Sequence, residues 1–299
     1  MSQRQWMEYN VAEEDAGKTV EQIVREKMGV SGRMLQRLTR SKGIQLNRKP
    51  PFLKRQVKPG DRVSIRIADQ TPQTGQAAEA IHIPLEILYE DDHLVVVNKP
   101  AGMLVHPVGP GETNTLVHAL TGVHPVHRLD KHTTGAVLLA KSSYGHQLAD
   151  RLLREGGIHR EYTAVVCGKL ERERGTIDAP IGRDPRHPTK RQVSERGDTA
   201  ITHFEVVARS ERSSLVRIRL ETGRTHQIRV HFQHIGHPLA GDTMYGGRKM
   251  GFSRQALHAR MLSFAHPLNG QPIVAEAPLP DDMKRFIRDE YKLDDEKPL

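Results

Sequence analysis

One carboxylate stands among basic side chains in the segment VHPVHRLDKHTTGAVLLAKS, residues 123–142. Asp130 follows Arg128 and precedes Lys131, and two histidines lie close by. Basic neighbours favour the ionised form of a carboxylate in a partly buried site. An ionised carboxylate can attack an electrophilic sugar carbon, as in covalent glycosidic chemistry. Asp130 is therefore a candidate nucleophile, although a lone acid in a turn more often caps a helix or forms a salt bridge.

A second motif, LETGRTHQIRVH, supplies two arginines that could pair with Asp130 across the fold. They are Arg224 and Arg229, and their spacing does not select between them. A further candidate is Tyr162, because an aromatic ring can stack on a nucleic-acid base. Tyr162 also alternates with Ala164 along a predicted strand, so the pattern alone favours core packing for this ring.

The segment HQIRVHFQHIGH contains four histidines within twelve residues. His231 and His234 are three residues apart and could share one face of a helix. The motif H-E-x-x-H is absent, and Cys167 is the only cysteine, so no C-x-x-C pair can complete a tetrahedral metal site. The pattern instead predicts a helix with an apolar side toward the core and a basic side toward phosphate, ending at Gly236. No metal site is predicted.

Two glycine-containing segments resemble parts of nucleotide-binding loops. GKT, residues 17–19, lacks the earlier glycine of a Walker loop, because Ala12 occupies that position. GGRKMG, residues 246–251, is too weak a pattern to indicate dinucleotide binding. The sequence therefore predicts no nucleotide cofactor.

The beginning of the chain predicts a compact basic module of short helices and a small sheet. Residues 33–66 contain eleven Lys and Arg but a single acid, Asp61, so their excess positive charge is larger than the +9 of the whole chain. Ser31 is the predicted N-cap of a helix that Gly43 could end. A basic helical face can neutralise several phosphates at once, so we expect nucleic-acid contact rather than a merely solvated surface. The residues expected to make it are Arg33, Arg37, Arg40 and Lys42.

A polar segment divides the chain. DQTPQTGQAAEA, residues 69–80, is poor in large apolar residues and predicts a linker. We therefore predict a first domain over residues 1–70, a linker over residues 71–80 and a second domain over residues 81–299. In the second domain the runs LVVV and GAVLLA predict buried strands, and strands outnumber helices, so the predicted class is α+β. Asp130 falls in the turn before the GAVLLA strand, which can hold a reactive group in place.

The composition is that of a globular protein. The chain has 299 residues, of which 36% are hydrophobic and 27% charged, and it can bury a core. No window approaches 18 consecutive apolar residues, and the opening MSQRQWMEYN lacks the apolar core of a signal peptide. A single cysteine excludes an intramolecular disulfide. We therefore expect a cytoplasmic protein with no membrane-spanning helix.

Four segments resemble successive motifs of the RluA-type pseudouridine synthases. They follow the family's order over most of residues 85–260 and read DDHLVVVNKPAGMLVHP, HRLDKHTTGAVLLAKS, REYTAVVCG and LETGRTHQIRVHFQHIGHPLAGDTMYG. HRLDKHTTG is the most specific, because the family pattern is H-R-L-D followed by T-S/T-G, and Thr134 fills the Ser/Thr position. Residues 15–70 resemble the alpha-L RNA-binding domain typified by ribosomal protein S-four. That combination suits the RluD-like branch, whose known members modify large-subunit ribosomal RNA.

The resemblance implies a role for each candidate residue. Asp130 matches the family's catalytic aspartate, and Arg229 matches the arginine that pairs with it. Tyr162 matches the tyrosine that stacks on the flipped uracil and takes part in proton removal. Arg128 matches the arginine that enters the RNA stack when the target nucleotide flips out. Arg224 is left with a supporting or RNA-binding role.

The activity implied is that of an isomerase. The bond between nitrogen 1 of uracil and the sugar breaks, the uracil rotates, and its carbon 5 bonds to the same sugar carbon. Because the atoms are only rearranged, the reaction needs no nicotinamide, metal or ATP. The expected partner is RNA, in particular ribosomal RNA, and a monomer suffices. The resemblance also implies a mixed, mainly antiparallel sheet in the catalytic domain.

Two alternatives to this function stay open. The first is an RNA-binding protein without catalytic activity, which would bind RNA in a salt-sensitive way without changing it. The second is a nucleoside or glycoside hydrolase. That chemistry uses a second carboxylate about 5–10 Å from the first, and the sequence leaves Asp184, Glu221 and Asp242 as candidates.

Overall fold

The first domain is a small antiparallel sheet packed against short helices. The computed structural model describes residues 6–67, 84–109 and 111–293. The elements of this domain are β1 (Trp6–Asn10), α1 (Val20–Gln22, continued by a π-helical turn over Ile23–Lys27), α2 (Gly32–Arg40), β2 (Ile44–Leu46) and β3 (Arg62–Arg66). The strands pair in the order β1-β3-β2, with both pairs antiparallel.

Local capping explains where the helices of the first domain begin. Thr19 and Gln22 form a reciprocal capping box at α1. The Ser31 hydroxyl accepts a backbone N–H of the first turn of α2 at 3.3 Å, so the predicted N-cap is confirmed. The prediction for the other end is wrong in detail, because Lys42 rather than Gly43 takes the left-handed position after α2, with φ of 52°.

The second domain is built on a large sheet. Its strands are β4 (Glu86–Glu90), β5 (Leu94–Lys99), β6 (His124–Pro125), β7 (Thr134–Ala140), β8 (Ile158–Cys167), β9 (Arg174–Asp178), β10 (Ile181–Arg183), β11 (Arg191–Val193), β12 (Ile201–Arg209), β13 (Ser213–Leu220), β14 (Leu257–Ala265) and β15 (Pro272–Glu276). Its helices are α3 (Leu116–Ala119), α4 (Ser143–Arg154), α5 (Gln227–His234) and α6 (Asp281–Tyr291).

The sheet runs in the order β4-β5-β7-β14-β8-β13-β12-β9. Strand β6 pairs with β7 and β15 with β14, while β10 and β11 form a separate hairpin. Among the pairs formed by described residues, only β7 with β14 is parallel. The predicted α+β class with a mainly antiparallel sheet is confirmed.

The centre of this sheet is buried on both faces, which explains its uninterrupted apolar runs. Alternate side chains of a strand point to opposite faces. On β5, Val95 and Val97 pack in the core that includes Phe232 of α5, while Leu94 and Val96 pack in a second core. Strands covered on both sides show continuous rather than alternating hydrophobicity. The LVVV and GAVLLA runs therefore lie in β5 and β7, as predicted.

The parallel contact between β7 and β14 depends on a glycine. Gly135 has a φ of +111°, and a Cβ at this position would overlap the carbonyl oxygen of Ala259 and lie 2.7 Å from its nitrogen. No residue with a side chain fits this approach. The glycine thus allows β7 to begin directly after the Asp130 turn while resting against β14.

Helix α4 of the second domain packs against the first domain. The Tyr144 hydroxyl donates to the Met28 carbonyl at 2.6 Å, and the Ser31 N–H donates to Gln147 at 2.8 Å. Tyr144 and Leu148 complete the apolar core of the first domain. The orientation of the two domains is therefore set by buried contacts.

The predicted linker, residues 71–80, lies outside the described residues, and the boundaries at residues 70 and 81 remain predictions. Within the described ranges, none of the helices has both the length and the apolar character required to cross a bilayer.

Candidate active site

Asp130 lies in the turn between β6 and β7. Its carbonyl accepts the Thr133 N–H at 3.1 Å, and this turn leads directly into the buried strand. The carboxylate is 22% exposed and faces a pocket of about 480 Å³. Residues from β8, from the loop before α5 and from α5 itself line the same pocket. The carboxylate is thus held on a rigid frame yet can be reached by a ligand.

Of the two arginines that could pair with Asp130, Arg229 on α5 makes the contact. Its Nη1 donates to Asp130 Oδ2 at 3.0 Å. Its Nε and Nη2 donate to the two oxygens of Asp242 at 2.6 and 2.9 Å. Burial alone would lower the pKa of Arg229, but the two carboxylates outweigh burial and raise it. The guanidinium is therefore permanently charged and held in one plane between the two acids.

The predicted orientation of this helix is wrong on its basic side. Arg229 is only 6% exposed, because it points inward at the two carboxylates rather than outward at phosphate. His231 is fully buried, and its nitrogens lie 2.9 Å from the Thr202 hydroxyl and the Ala179 carbonyl. The helix does end as predicted at Gly236, which has a φ of +84°. The described residues contain no group of three or more His, Cys, Asp or Glu that could hold a metal ion.

Tyr162 lies both in the core and at the wall of the pocket. Its ring is 5% exposed and belongs to the main core, and it also lines the pocket beside Asp130. Burial raises the pKa of its hydroxyl, while the charge of Arg160 acts in the opposite direction. Tyr162 is therefore a neutral phenol at physiological pH, on a strand that fixes its ring.

His226 and Tyr245 form a further pair that sequence reasoning missed. The Tyr245 oxygen accepts the Arg191 N–H at 3.0 Å, so its own proton points to His226 Nδ1, 2.8 Å away. Burial lowers the pKa of His226, which keeps the ring neutral with its remaining N–H on Nε2. That nitrogen lies 3.9 Å from Asp130. His226 is left-handed, with φ of 59°, and strained positions of this kind cluster at functional sites.

Lys99 holds the Asp130 turn in place through hydrogen bonds to backbone carbonyls. Sequence reasoning also missed this residue. It is fully buried at the end of β5. Its Nζ donates to the carbonyls of Pro100, Met103 and Lys131 at 2.8, 2.9 and 3.1 Å. Burial lowers its pKa from 10.5 to about 7, although the charge of Asp130 acts in the opposite direction. Because Lys131 directly follows Asp130, these bonds fix the position of the turn.

The wall of the pocket is rich in arginine. Arg128 is exposed at the pocket, and Arg224 donates to the Thr199 carbonyl at 2.9 Å rather than to Asp130. Arg154 and Arg160 line the same wall. The predicted candidates Arg128 and Arg224 therefore reach the pocket, where their charge can meet an anionic ligand.

The other predicted RNA-binding residues form a separate surface on the first domain. Arg33, Arg37 and Arg40 line one depression along α2, and Arg37 also donates to the Ser143 hydroxyl at 2.9 Å. Lys42 is exposed just beyond the helix. This surface is adjacent to α4 of the second domain but does not line the pocket with Asp130.

Two family models match the chain. Residues 93–234 match the model described as RNA pseudouridylate synthase, a range that includes Asp130, Tyr162 and Arg229. Residues 7–63 match the model described as RluD ribosomal pseudouridine synthase N-terminal domain.

Relatives and solved structures agree with these matches. The chain is 41% identical to the uncharacterized RNA pseudouridine synthase YhcT of Bacillus subtilis, over 94% of this chain and 96% of that protein. It is 43% identical to ribosomal large subunit pseudouridine synthase D of Nitrosomonas europaea, over 75% of this chain and 71% of that protein. The structure of human RNA pseudouridylate synthase domain containing 1 superposes with a TM-score of 0.57 at 25% identity, covering 71% of this chain and 89% of that one.

Proposed function

Because the chain belongs to the family of RNA pseudouridine synthases, isomerases that act on uridine in RNA, we propose that Asp130 is its nucleophile and large-subunit ribosomal RNA its substrate. The first domain supports this choice of substrate, since it matches the N-terminal domain of RluD ribosomal pseudouridine synthases. Relatives named for the large ribosomal subunit support it as well. The basic surface of α2 would contribute sequence-independent contacts with phosphates.

The contact of Asp130 with Arg229 is the observation that carries the proposed catalytic role. A buried guanidinium that is already anchored by Asp242 holds the Asp130 carboxylate in one orientation, 3.0 Å from a fixed positive charge. An attack at the ribose carbon, an attack at carbon 6 of uracil and removal of a ribose proton would all use this same carboxylate. Preorganised charge of this kind lowers the barrier because it need not be rearranged during the reaction.

The target base must leave the RNA stack to reach the pocket. Flipping costs roughly a few kcal/mol. Arg128 is exposed at the pocket, where it can occupy the gap left in the stack. The ring of Tyr162 can return about 1–3 kcal/mol by stacking on the uracil.

After the new bond forms, a proton leaves carbon 5 of the uracil and nitrogen 1 is left protonated, so the atoms balance without a co-reactant. Because Tyr162 is a neutral phenol, it can accept that proton only by passing its own proton on. We therefore assign Tyr162 the stacking role first and proton transfer second.

Of the three candidate second carboxylates of a hydrolase, only Glu221 lines the pocket with Asp130. Asp242 is 2% exposed, and both its oxygens accept from Arg229. Glu221 is bound by His203 at 2.6 Å, and Asp184 accepts a backbone N–H of its own loop at 2.9 Å. Asp242 is thus committed to Arg229 and Asp184 lies away from the pocket, so a hydrolase would have to use Glu221 as its general base. The alternative of RNA binding without catalysis does not explain why Asp130 is held at the pocket by Arg229, since a carboxylate does not bind phosphates.

Pseudouridine mapping on total RNA tests the proposed substrate. Cells that lack the protein should lose a modification in large-subunit ribosomal RNA, and the gene restored on a plasmid should return it. Loss of a site in another RNA class, or of none, would contradict the substrate. Free uracil released from RNA by the purified protein would favour hydrolysis instead.

We further propose the domain limits 1–70, 71–80 and 81–299, a monomer, and action in the cytoplasm. The core of the first domain, which comes mainly from residues 11–65, supports the first limit. The relatives named for ribosomal RNA support the cytoplasm.

A further inference from the structure

Arg160 is a buried cation in the pocket without a counter-charge. It lies on β8 two residues before Tyr162, so both side chains project from the same strand face. Arg160 is 9% exposed and lines the pocket with Asp130. Its Nε is buried and has no hydrogen-bond partner, and its Nη2 reaches only the Thr222 carbonyl, at 3.4 Å. No carboxylate of the described residues lies within 4.0 Å of it.

The other deeply buried arginines of the described chain are paired. Arg229 binds Asp130 and Asp242, and Arg254 binds Asp282 at 2.8 Å. Burying a charge is costly unless a partner compensates for it. Arg160 is buried in the pocket without a partner in the chain to compensate for the lost hydration of its charge. This arrangement indicates that the partner belongs to the ligand.

The chemistry of the pocket indicates which partner this is. The acids that line it are already engaged, Asp130 by Arg229 and Glu221 by His203. A missing anion therefore has to come from the ligand, and the anion of RNA is the phosphodiester. The acceptors of uracil are neutral carbonyls, which compensate a buried guanidinium less well than a charged, bidentate phosphate.

We propose that Arg160 binds a phosphate that flanks the target uridine once that uridine has entered the pocket. The neighbouring backbone leaves room for this, because a Cβ at Gly223 would lie 2.7 Å from Arg160 Nη1. Arg160 thereby fixes the sugar of the flipped nucleotide in front of Asp130. This inference rests on the proposed function and assigns a substrate contact within the same site.

Three substitutions of Arg160 separate charge from hydrogen bonding. The probe is a large-subunit ribosomal RNA transcript labelled with tritium at carbon 5 of uridine, which loses tritium when pseudouridine forms. Arg160→Met should lower kcat/KM by about 10- to 100-fold, the range for losing a hydrogen bond to a charged group. Arg160→Gln should lose nearly as much, whereas Arg160→Lys, which keeps the charge but not the bidentate geometry, should lose less than either.

The salt dependence of transcript binding, measured by filter retention, identifies the partner as a phosphate. For Arg160→Met the slope of log affinity against log salt concentration should become shallower by about 0.7, the value for one single-stranded phosphate. The matched control is Arg209→Met, which removes a half-buried arginine that lies outside the pocket and also has a buried nitrogen without a partner. Its slope and its kcat/KM should equal those of the wild type.

Thermal unfolding tests whether Arg160 has only a structural role. Arg160→Met should melt at or above the wild-type temperature, because it removes an uncompensated buried charge. The proposal is overturned if Arg160→Met melts lower in proportion to its loss of activity, if Arg160→Gln retains full activity, or if the salt slope is unchanged. Absence of tritium release by the wild type would instead refute the proposed function, and the binding slopes test Arg160 in either case.

Discussion

The carboxylate of Asp242 offers a way to disturb catalysis without disturbing RNA binding. It is 2% exposed, does not line the pocket, and accepts two hydrogen bonds from Arg229. An asparagine at this position loses the negative charge and turns an amide N–H toward the guanidinium. Asp242→Asn should therefore loosen Arg229 and, through it, Asp130.

The size of the effect follows from the contacts that remain. Removing one partner of a buried ion pair costs about 3–5 kcal/mol. Asp130 stays 3.0 Å from Arg229 in the variant's starting geometry, so the lower end, about 3 kcal/mol, applies. At about 2–4 °C per kcal/mol, the melting temperature should fall by about 6–12 °C. A displacement of about 1 Å in a positioning group can cost about 100-fold in rate, so kcat should fall by about 10- to 100-fold.

Three assays on purified protein test this prediction: tritium release from the ribosomal RNA transcript, transcript binding, and thermal unfolding. The matched control is Glu290→Gln, because Arg212 Nε donates to both oxygens of Glu290 at 3.0 and 2.9 Å on the C-terminal helix, outside the pocket. The control should lower stability but leave kcat unchanged. An Asp242→Asn protein with wild-type kcat would refute the positioning role, even if its melting temperature falls.

Three further substitutions test the frame of the site. Folding lowers the pKa of Lys99 from 10.5 to about 7, so the cost of burying its charge is full below pH 7 and fades as pH rises toward 10.5. The melting temperature of Lys99→Met minus that of the wild type should therefore be higher at pH 6 than at pH 9. The same difference at both pH values would contradict the lowered pKa of Lys99. Gly135→Ala should destabilise the protein by at least about 2 kcal/mol in urea titration, because its Cβ would overlap the backbone of Ala259; a change below about 0.5 kcal/mol would exclude the close approach. Tyr144→Phe should cost about 1–3 kcal/mol by leaving the Met28 carbonyl without its 2.6 Å partner, with kcat unchanged. A loss of kcat at constant stability would mean that the domain contact takes part in the reaction.

Local patterns predict the elements of this protein because those elements depend on local physics. The strands β5 and β7 follow from apolar runs, and the start of α2 follows from the cap at Ser31. Asp130 can be identified as a candidate because a lone carboxylate among bases is chemically unusual.

The pairing of Asp130 with Arg229 lies beyond local reasoning. The two residues are 99 positions apart and meet only because the order of the sheet brings the β6–β7 turn to α5. The motif offers Arg224 and Arg229 equally, and burial decides between them, since Arg229 is 6% exposed and Arg224 lies at the surface.

Burial also explains which residues were missed. Lys99 looks like an ordinary surface residue in the sequence, and Asp242 was a candidate only as a second carboxylate of a hydrolase, yet both are buried and hold the parts of the site in place. Arg160 stands in the quoted segment REYTAVVCG, but its lack of a partner is a property of the fold. The backbone of His226 is left-handed without being glycine, which no local preference predicts.

The most direct test of the central claim is the turnover of Asp130→Asn on the tritium-labelled transcript. The substitution preserves the shape of the side chain and removes the charge that Arg229 holds ready. We predict that tritium release and pseudouridine formation are lost. Affinity for the transcript should stay within about twofold, because Asp130 acts on the target nucleotide and does not bind the phosphates that supply most of the affinity. An Asp130→Asn protein that forms pseudouridine at the wild-type rate would contradict the assignment of Asp130 as the nucleophile.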